Sequence, residues 1–336
     1  MLLVLYHSLI HIRIAFGDSY TYVQGTKGYP GFSFIGSYLP SQFAITAHEL
    51  WHDQIVQNFS GTAEGGPNWV EFLTGCGLQP GLTSPKSCEI QLWDFAFAGA
   101  DVSEKFTPLH HNWTIPLVNQ TQRFLSWVQP EFQKKNAISQ KDTLLALWIG
   151  INDIGDVSRL SNVSFPSLYE SIVSTIFNES VQPLFDGGYR DLLLINLPPL
   201  DRTPGNVGSS NPLPNKTMIG WWNDALSHYS RDFVSRHQDM NIMNYDANSF
   251  LNFVLENPEA YDIRNTTGYC PGYTDPDVMV DPGKYGCLPI DQYFWFNTGH
   301  LTSHIHHILS QDIGKFLRQQ RSNKGTSGKL YKFPGL

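Results

Sequence analysis

Two sets of residues in this 336-residue chain have the types and spacing for hydrolytic chemistry. The first is compact: His48, Glu49 and His52 in the stretch "HELWH". On a helix, imidazoles four residues apart share a face and can hold zinc, with the glutamate as general base for peptide hydrolysis. Glu71, downstream, offers a third ligand. A chain of this composition yields the pattern by accident about once in fifty sequences, so alone it decides little. The second set is dispersed: Ser19, Gly99, Asn152 and His300, with Asn297 three residues before the histidine. A serine hydroxyl can attack an acyl carbon while histidine takes its proton and returns it to the leaving group. The backbone N–H groups of Ser19 and Gly99 and the Asn152 amide can face the oxyanion as it forms. Those are the parts of acyl transfer.

These residues are far apart in sequence, so the fold must bring them together. Near-continuous apolar runs at 12–19, 90–100, 143–153, 191–200 and 240–248 read as buried parallel strands. Amphipathic segments at 68–75, about 116–135, 168–185, 216–238, 249–256 and 303–320 read as helices between them. Strand–helix alternation along the chain predicts one domain over 1–336, a three-layer α/β/α sandwich on a central parallel sheet. Residues 23–65, rich in Gly, Ser and aromatics, break the alternation and read as an insertion, and about 322–336 as a flexible tail. Ligands in such folds bind at the carboxyl ends of the strands. There stand Gly17-Asp18-Ser19, Ala98-Gly99-Ala100 and Gly150-Ile151-Asn152-Asp153, while Asn297 and His300 precede the last helix. The dispersed set converges on one edge of the sheet.

Composition narrows the setting. Hydrophobic residues make up 41% of the chain and charged residues only 15%, with a net charge of −8. That excludes a disordered chain and argues against nucleic acid as partner. Seven N-x-S/T sequons, at Asn58, Asn112, Asn119, Asn162, Asn178, Asn215 and Asn265, exceed the roughly three expected by chance. The four cysteines fall into two local pairs, Cys76 with Cys88 and Cys270 with Cys287, each closing a short loop as disulfides do in an oxidising compartment. No run reaches the roughly 20 apolar residues of a membrane span. The expectation is a secreted, glycosylated monomer. "MLLVLYHSLI" at 1–10 is apolar like a signal-peptide core, yet lacks a basic start and a small-residue cleavage site. An atypical or missing signal peptide is expected there.

The blocks "FGDSYTY", "FAFAGA", "GIND" and "NTGH", in this order and spacing, resemble the four blocks of the GDSL (SGNH) hydrolases over nearly the whole chain. Within that superfamily "FGDSYTYVQG", "TAEGGPNWVEFLTGC" and "YFWFNTGHLTSHIHHIL" are similar to fungal secreted acetylesterases, carbohydrate esterase family 16. The resemblance implies a flavodoxin-like α/β/α fold, no metal or other cofactor, and hydrolysis of acetyl esters on saccharides. It assigns the nucleophile to Ser19, oxyanion roles to Gly99 and Asn152, and the base to His300. One departure stands out: the family's last block reads D-x-x-H, and here Asn297 takes the acid position. An amide oxygen can orient the imidazole without supplying charge, which leaves His300 to titrate near its ordinary value of roughly 6.5. Asp291 is the alternative acid.

Plainer roles exist for each residue. Ser19 can be a helix N-cap, Asn152 a turn former, Gly99 a packing glycine, and His304, His306 and His307 helix-surface residues. Trp51 and Trp295 are candidates for a sugar-stacking wall, although core packing suits them equally. Rival functions are a lipase or phospholipase on longer acyl chains, a silent glycan-binding relative, and the zinc protease that "HELWH" suggests.

Overall fold

The computed structural model describes residues 12–35, 45–135 and 139–323. Five parallel strands form the central sheet: β1 Ile12–Gly17, β4 Gln91–Asp94, β5 Thr143–Trp148, β6 Asp191–Ile195 and β7 Asn241–Tyr245. Between β1 and β4, a two-stranded antiparallel ribbon pairs β2 Ile55–Gln57 with β3 Gly81–Thr83. The order across the sheet is β4-β1-β5-β6-β7. Counting only these five, that is the 2-1-3-4-5 order of flavodoxin-like sheets, whose switch point lies where the chain crosses back from β4, past β1, to β5. A crevice opens there at the carboxyl ends.

The helices are α1 Ala47–His52, α2 Trp69–Thr74, α3 Leu117–Arg123, α4 Gln129–Lys134, α5 Ile151–Val157, α6 Phe165–Ile176, α7 Gln182–Asp186, α8 Pro204–Val207, α9 Lys216–Arg236, α10 Ala247–Glu256 and α11 Ser303–Asn323. On one face of the sheet α11 packs on α2 and α10; on the other α6 packs on α9 and α3 on α7. Every residue of β5 is buried, as its unbroken apolar run requires. The α/β/α reading therefore holds. Two expected helices are each interrupted by a π-helical turn, Phe124–Val128 and Phe177–Val181. A proline follows each, Pro130 and Pro183, and cannot donate the usual i→i−4 bond.

Two boundaries differ from the sequence reading. The second strand of the expected pattern ends at Asp94, though Phe95 and Phe97 still donate to the Ala15 and Gly17 carbonyls. The ladder then breaks and frees the loop that carries Gly99. "GIND" is not strand: Gly150 caps α5 and Asn152 lies in its first turn. Of the described residues in the 23–65 stretch, Phe34, Ile35, Leu50, Trp51 and Ile55 lie in the main core. Helix α11 runs to Asn323; the rest of the expected tail and the apolar 1–10 stretch lie outside the described residues. Both expected disulfides are present, Cys76–Cys88 and Cys270–Cys287. No described helix is long and apolar enough to cross a membrane.

Candidate active site

Strand β1 delivers Ser19 through a turn that needs Gly17. Its φ is +154°, and a Cβ there would stand 2.2 Å from the Trp148 carbonyl oxygen. The turn is held from both sides. Gln120, buried on α3, accepts from Gly17 N at 3.0 Å and donates to Gly17 O at 2.8 Å. Asp18, fully buried, accepts the Tyr20 N–H on its side chain and the Thr21 and Tyr22 N–H groups on its carbonyl. Burial pushes the Asp18 carboxyl up to about 7, against the lowering by those N–H bonds. The motif name hides this residue's work: it shapes the turn and leaves Ser19 9% exposed.

His300 Nε2 lies 2.8 Å from Ser19 Oγ. Its Nδ1 lies 3.0 Å from Asn297 Oδ1, so the alternative acid Asp291 is not the partner. The same Oδ1 also accepts the Gly299 and His300 backbone N–H groups, each at 2.9 Å. Two backbone donors can face only an acceptor, so the amide's orientation is settled without reference to the imidazole. Nδ1 therefore carries the proton, and Nε2 is free to accept from the Ser19 hydroxyl. Tyr20 packs against His300, ring centroids 5.4 Å apart, and its hydroxyl donates to the Gly299 carbonyl. Burial lowers the His300 imidazolium to about 4, although one edge of the residue remains accessible. That corrects the expectation of an ordinary value: desolvation acts on the ring whatever residue stands at 297.

On the other side of Ser19 the donors assemble. Gly99 has φ +78°, a left-handed conformation that glycine tolerates, and neither its N–H nor that of Ser19 has an acceptor among the described residues. Asn152 Nδ2 donates to the Ala100 carbonyl at 2.9 Å, which uses one of its two N–H groups and leaves the other. Ser19, His300 and Asn297 are thus in direct contact, with Gly17, Asp18 and Gln120 as supports, while Gly99 and Asn152 follow β4 and β5, the two strands that flank β1. Of the supports only the "GDS" glycine and aspartate had any signal in the sequence; Gln120 had none.

The remaining candidates go elsewhere. Trp51 is 5% exposed between Trp93 and Phe132, and Trp295 is fully buried with its indole N–H on Thr266 O. Neither has a face for substrate; both are core residues. His48 and His52 are exposed and stacked at 4.1 Å, but Glu49 is spent in a capping box with Thr46. Glu71 is fully buried and bonded to Gln57 and the Asn68 backbone, so it cannot complete a zinc site. His304 Nε2 donates to the Tyr261 carbonyl, His307 stacks on Phe72, and His306 is buried. Five sequon asparagines are exposed, and Asn119 and Asn265 half-buried.

A Ser–His–Asn chain at the switch point of a parallel α/β/α sheet, beside free N–H donors, is an arrangement suited to ester hydrolysis. The chain belongs to the GDSL-like lipase/acylhydrolase family, whose pattern it matches over residues 14–313. It is an ester-bond hydrolase. It is 26% identical over 257 residues to an acetylesterase of Thermothelomyces thermophilus, covering 75% of each chain. A second acetylesterase, from Hypocrea jecorina, is 23% identical over 341 residues, 91% of this chain and 88% of that one. A GDSL esterase/lipase of Arabidopsis thaliana is 23% identical over 237 residues, 65% and 61% of the two chains.

Proposed function

We propose that this protein is a secreted serine acetylesterase acting on acetylated saccharides. The observation that carries the reading is the continuous contact Ser19 Oγ–His300 Nε2, His300 Nδ1–Asn297 Oδ1. Ser19 Oγ attacks the acetyl carbonyl as His300 Nε2 takes its proton. The oxyanion is met by Ser19 N–H, Gly99 N–H and the spare N–H of Asn152. The tetrahedral intermediate collapses, Nε2–H protonates the sugar oxygen of the breaking C–O bond so that it departs as a hydroxyl, and an acetyl-Ser19 ester remains. Water, deprotonated by Nε2, then releases acetate and restores the serine. Asn297 holds the tautomer throughout and contributes no charge. One chain supplies every group, in keeping with a single-domain monomer whose core runs from Ile14 to Phe316.

The acetyl preference rests on the two acetylesterase relatives, and secretion on the two disulfides and the exposure of five of the seven sequon asparagines. The Arabidopsis relative's description keeps a second reading in view, a lipase on longer acyl chains. Hydrolysis of nitrophenyl acetate against nitrophenyl octanoate, with and without a serine-directed organophosphate, separates them. Acetate should be the better substrate and inactivation complete in the parent. A rate that rises with chain length would select the lipase; activity in Ser19→Ala above a few per cent would remove the serine mechanism.

A further inference from the structure

Beyond the Ser19 centre, two carboxylates and an imidazole from three parts of the chain converge. Asp101, His110 and Asp156 each present a ligand atom, and these atoms all lie within 4.8 Å of one another. His110 Nε2 is 2.8 Å from Asp156 Oδ2 and 4.0 Å from Asp101 Oδ2. The His110 and Asp156 side chains are 33% and 37% exposed, so the cluster opens to solvent.

Asp101 is the residue that ordinary packing does not explain. Its side chain is only 2% exposed, yet neither carboxylate oxygen has a hydrogen-bond partner among the described residues. Thr107 Oγ1 approaches this carboxyl and favours its charged form, but the contact falls short of good hydrogen-bond geometry. Buried carboxylates are normally paired, hydrogen-bonded or bound to a cation. The His110 imidazole stands 4.0 Å away and already engages Asp156.

We propose that Asp101, His110 and Asp156 bind a divalent cation of the zinc or manganese class. One imidazole nitrogen and two carboxylate oxygens suit borderline ions better than magnesium or calcium, which prefer oxygen alone. Metal–ligand distances of about 2.0–2.2 Å set neighbouring ligand atoms roughly 3.3 Å apart. The His110–Asp156 contact therefore opens slightly and the His110–Asp101 gap closes slightly, both within reach of side-chain rotation at the two accessible residues. Water fills the remaining positions on the exposed side.

The site would join the two elements that carry the oxyanion donors. Asp101 follows Gly99 by two residues, and Asp156 is one turn beyond Asn152 on α5. Val102 N already donates to Asp153 Oδ1 at 2.9 Å across the same seam. His110 Nδ1 would lie 3.4 Å from a Cβ placed on Gly99, so the histidine backs directly onto that glycine. A bound ion is thus a brace beside the reaction centre, with no part in the chemistry.

The test is calorimetric titration of the EDTA-stripped, full-length protein with zinc chloride and with manganese chloride, and melting temperature against metal concentration. One ion per chain is expected, with affinity weakened at least tenfold in His110→Ala and in Asp156→Asn, both surface changes that spare folding. Melting temperature should climb with metal in the parent and stay level in His110→Ala, since only the native state holds the site. His48→Ala/His52→Ala and Ser19→Ala should bind as the parent does. Absence of binding below millimolar concentration overturns the proposal. So does binding that survives His110→Ala and Asp156→Asn but is lost in the His48/His52 variant. Because binding is read without ester hydrolysis, its failure and that of the esterase mechanism are separate outcomes.

Discussion

Replacing Asn297 by aspartate isolates what charge is worth at the third position of the triad. The Asn297 oxygen accepts three N–H groups, from Gly299, from the His300 backbone and from His300 Nδ1, at 2.9, 2.9 and 3.0 Å. A carboxylate oxygen can occupy that point and keep all three bonds, so Asn297→Asp changes charge with little change in shape. The two backbone donors offset the cost of placing that charge in a half-buried site. An adjacent carboxylate raises an imidazole by about 1–3 pKa units, which lifts His300 from about 4 to roughly 5–7. In the transition state the same ring is an imidazolium, and a neutral hydrogen bond becomes a charge-assisted one. The difference is about 1–1.5 kcal/mol, or roughly tenfold in kcat at pH 7. The signs oppose each other at low pH. A parent with a base near 4 retains activity as pH falls to about 4.5, whereas the variant loses its base to protonation there. With the tenfold gain, the two pH–rate profiles on one acetyl ester should cross near about pH 5 when His300 rises to roughly 6 and near about pH 6 when it rises to roughly 7, and should merge on the acid side when it rises only to roughly 5. Asn297→Ala, which strips three donors of their acceptor, should lose at least about 10²-fold in kcat/KM across the range. An unchanged apparent pKa of the acid limb in Asn297→Asp, or an Asn297→Ala variant as active as the parent, would refute the reasoning.

Further outcomes follow from the same contacts. Ser19→Ala should keep its melting temperature and lose on the order of 10⁶ in kcat, measured on nitrophenyl acetate. Gln120→Leu leaves the Gly17 N–H without its partner and the Gly17 carbonyl with the Phe97 N–H alone, and should cost about 1–3 kcal/mol in urea unfolding, with a parallel fall in kcat as the Ser19 turn loosens. Cys270→Ala/Cys287→Ala opens a loop with a sequence separation of 17 and should cost about 3 kcal/mol; it also frees the small core of Val278, Ile290, Tyr293 and Phe296 that precedes Asn297, so kcat should drop with it. Calorimetry should place the melting maximum on the acid side of neutrality. Burial raises Asp18 to about 7, Glu71 to about 8 and Asp53 to about 6, so their destabilisation grows as pH climbs from about 4 to 8. His300 at about 4 and His306 at about 3 act oppositely, costing stability as pH falls below 6.5, but they are outnumbered. A maximum at pH 8 or above would contradict the balance.

The sheet was legible because a strand buried on both faces has to be apolar throughout, as "TLLALW" is in β5. The edge on which Ser19 and His300 meet followed from the rule that such sheets bind ligands at the carboxyl ends of their strands, whereas the strand order, and with it the switch point, came with the fold. What the sequence hid was of another kind. "GIND" continues an apolar run and reads as strand, yet Gly150 turns the backbone and Asn152 falls in a helix; the period of four residues is too short to declare itself. Trp51 and Trp295 looked available to a sugar because an aromatic residue is equally suited to a core and to a cleft. Only their neighbours decide, and those come from distant segments, Trp93 and Phe132 for one and Thr266 for the other. Gln120 is hidden for the same reason.

Asn297 shows how the two levels interact. From sequence it is a defect, an acid position without an acid. In the folded chain its oxygen closes the turn that presents His300, through the Gly299 and His300 amides, before it touches the imidazole at all. Those two bonds fix the oxygen toward Nδ1, and the oxygen fixes the proton on Nδ1, so Nε2 faces Ser19 unprotonated. The same burial that shelters this chain of contacts depresses the imidazolium, and with no carboxylate to restore it the base is weak but neutral far into the acid range. A neutral third residue and a desolvated imidazole therefore pull in one direction: they give up transition-state charge stabilisation near pH 7 and preserve a working base at pH values where an aspartate-backed histidine would already be protonated.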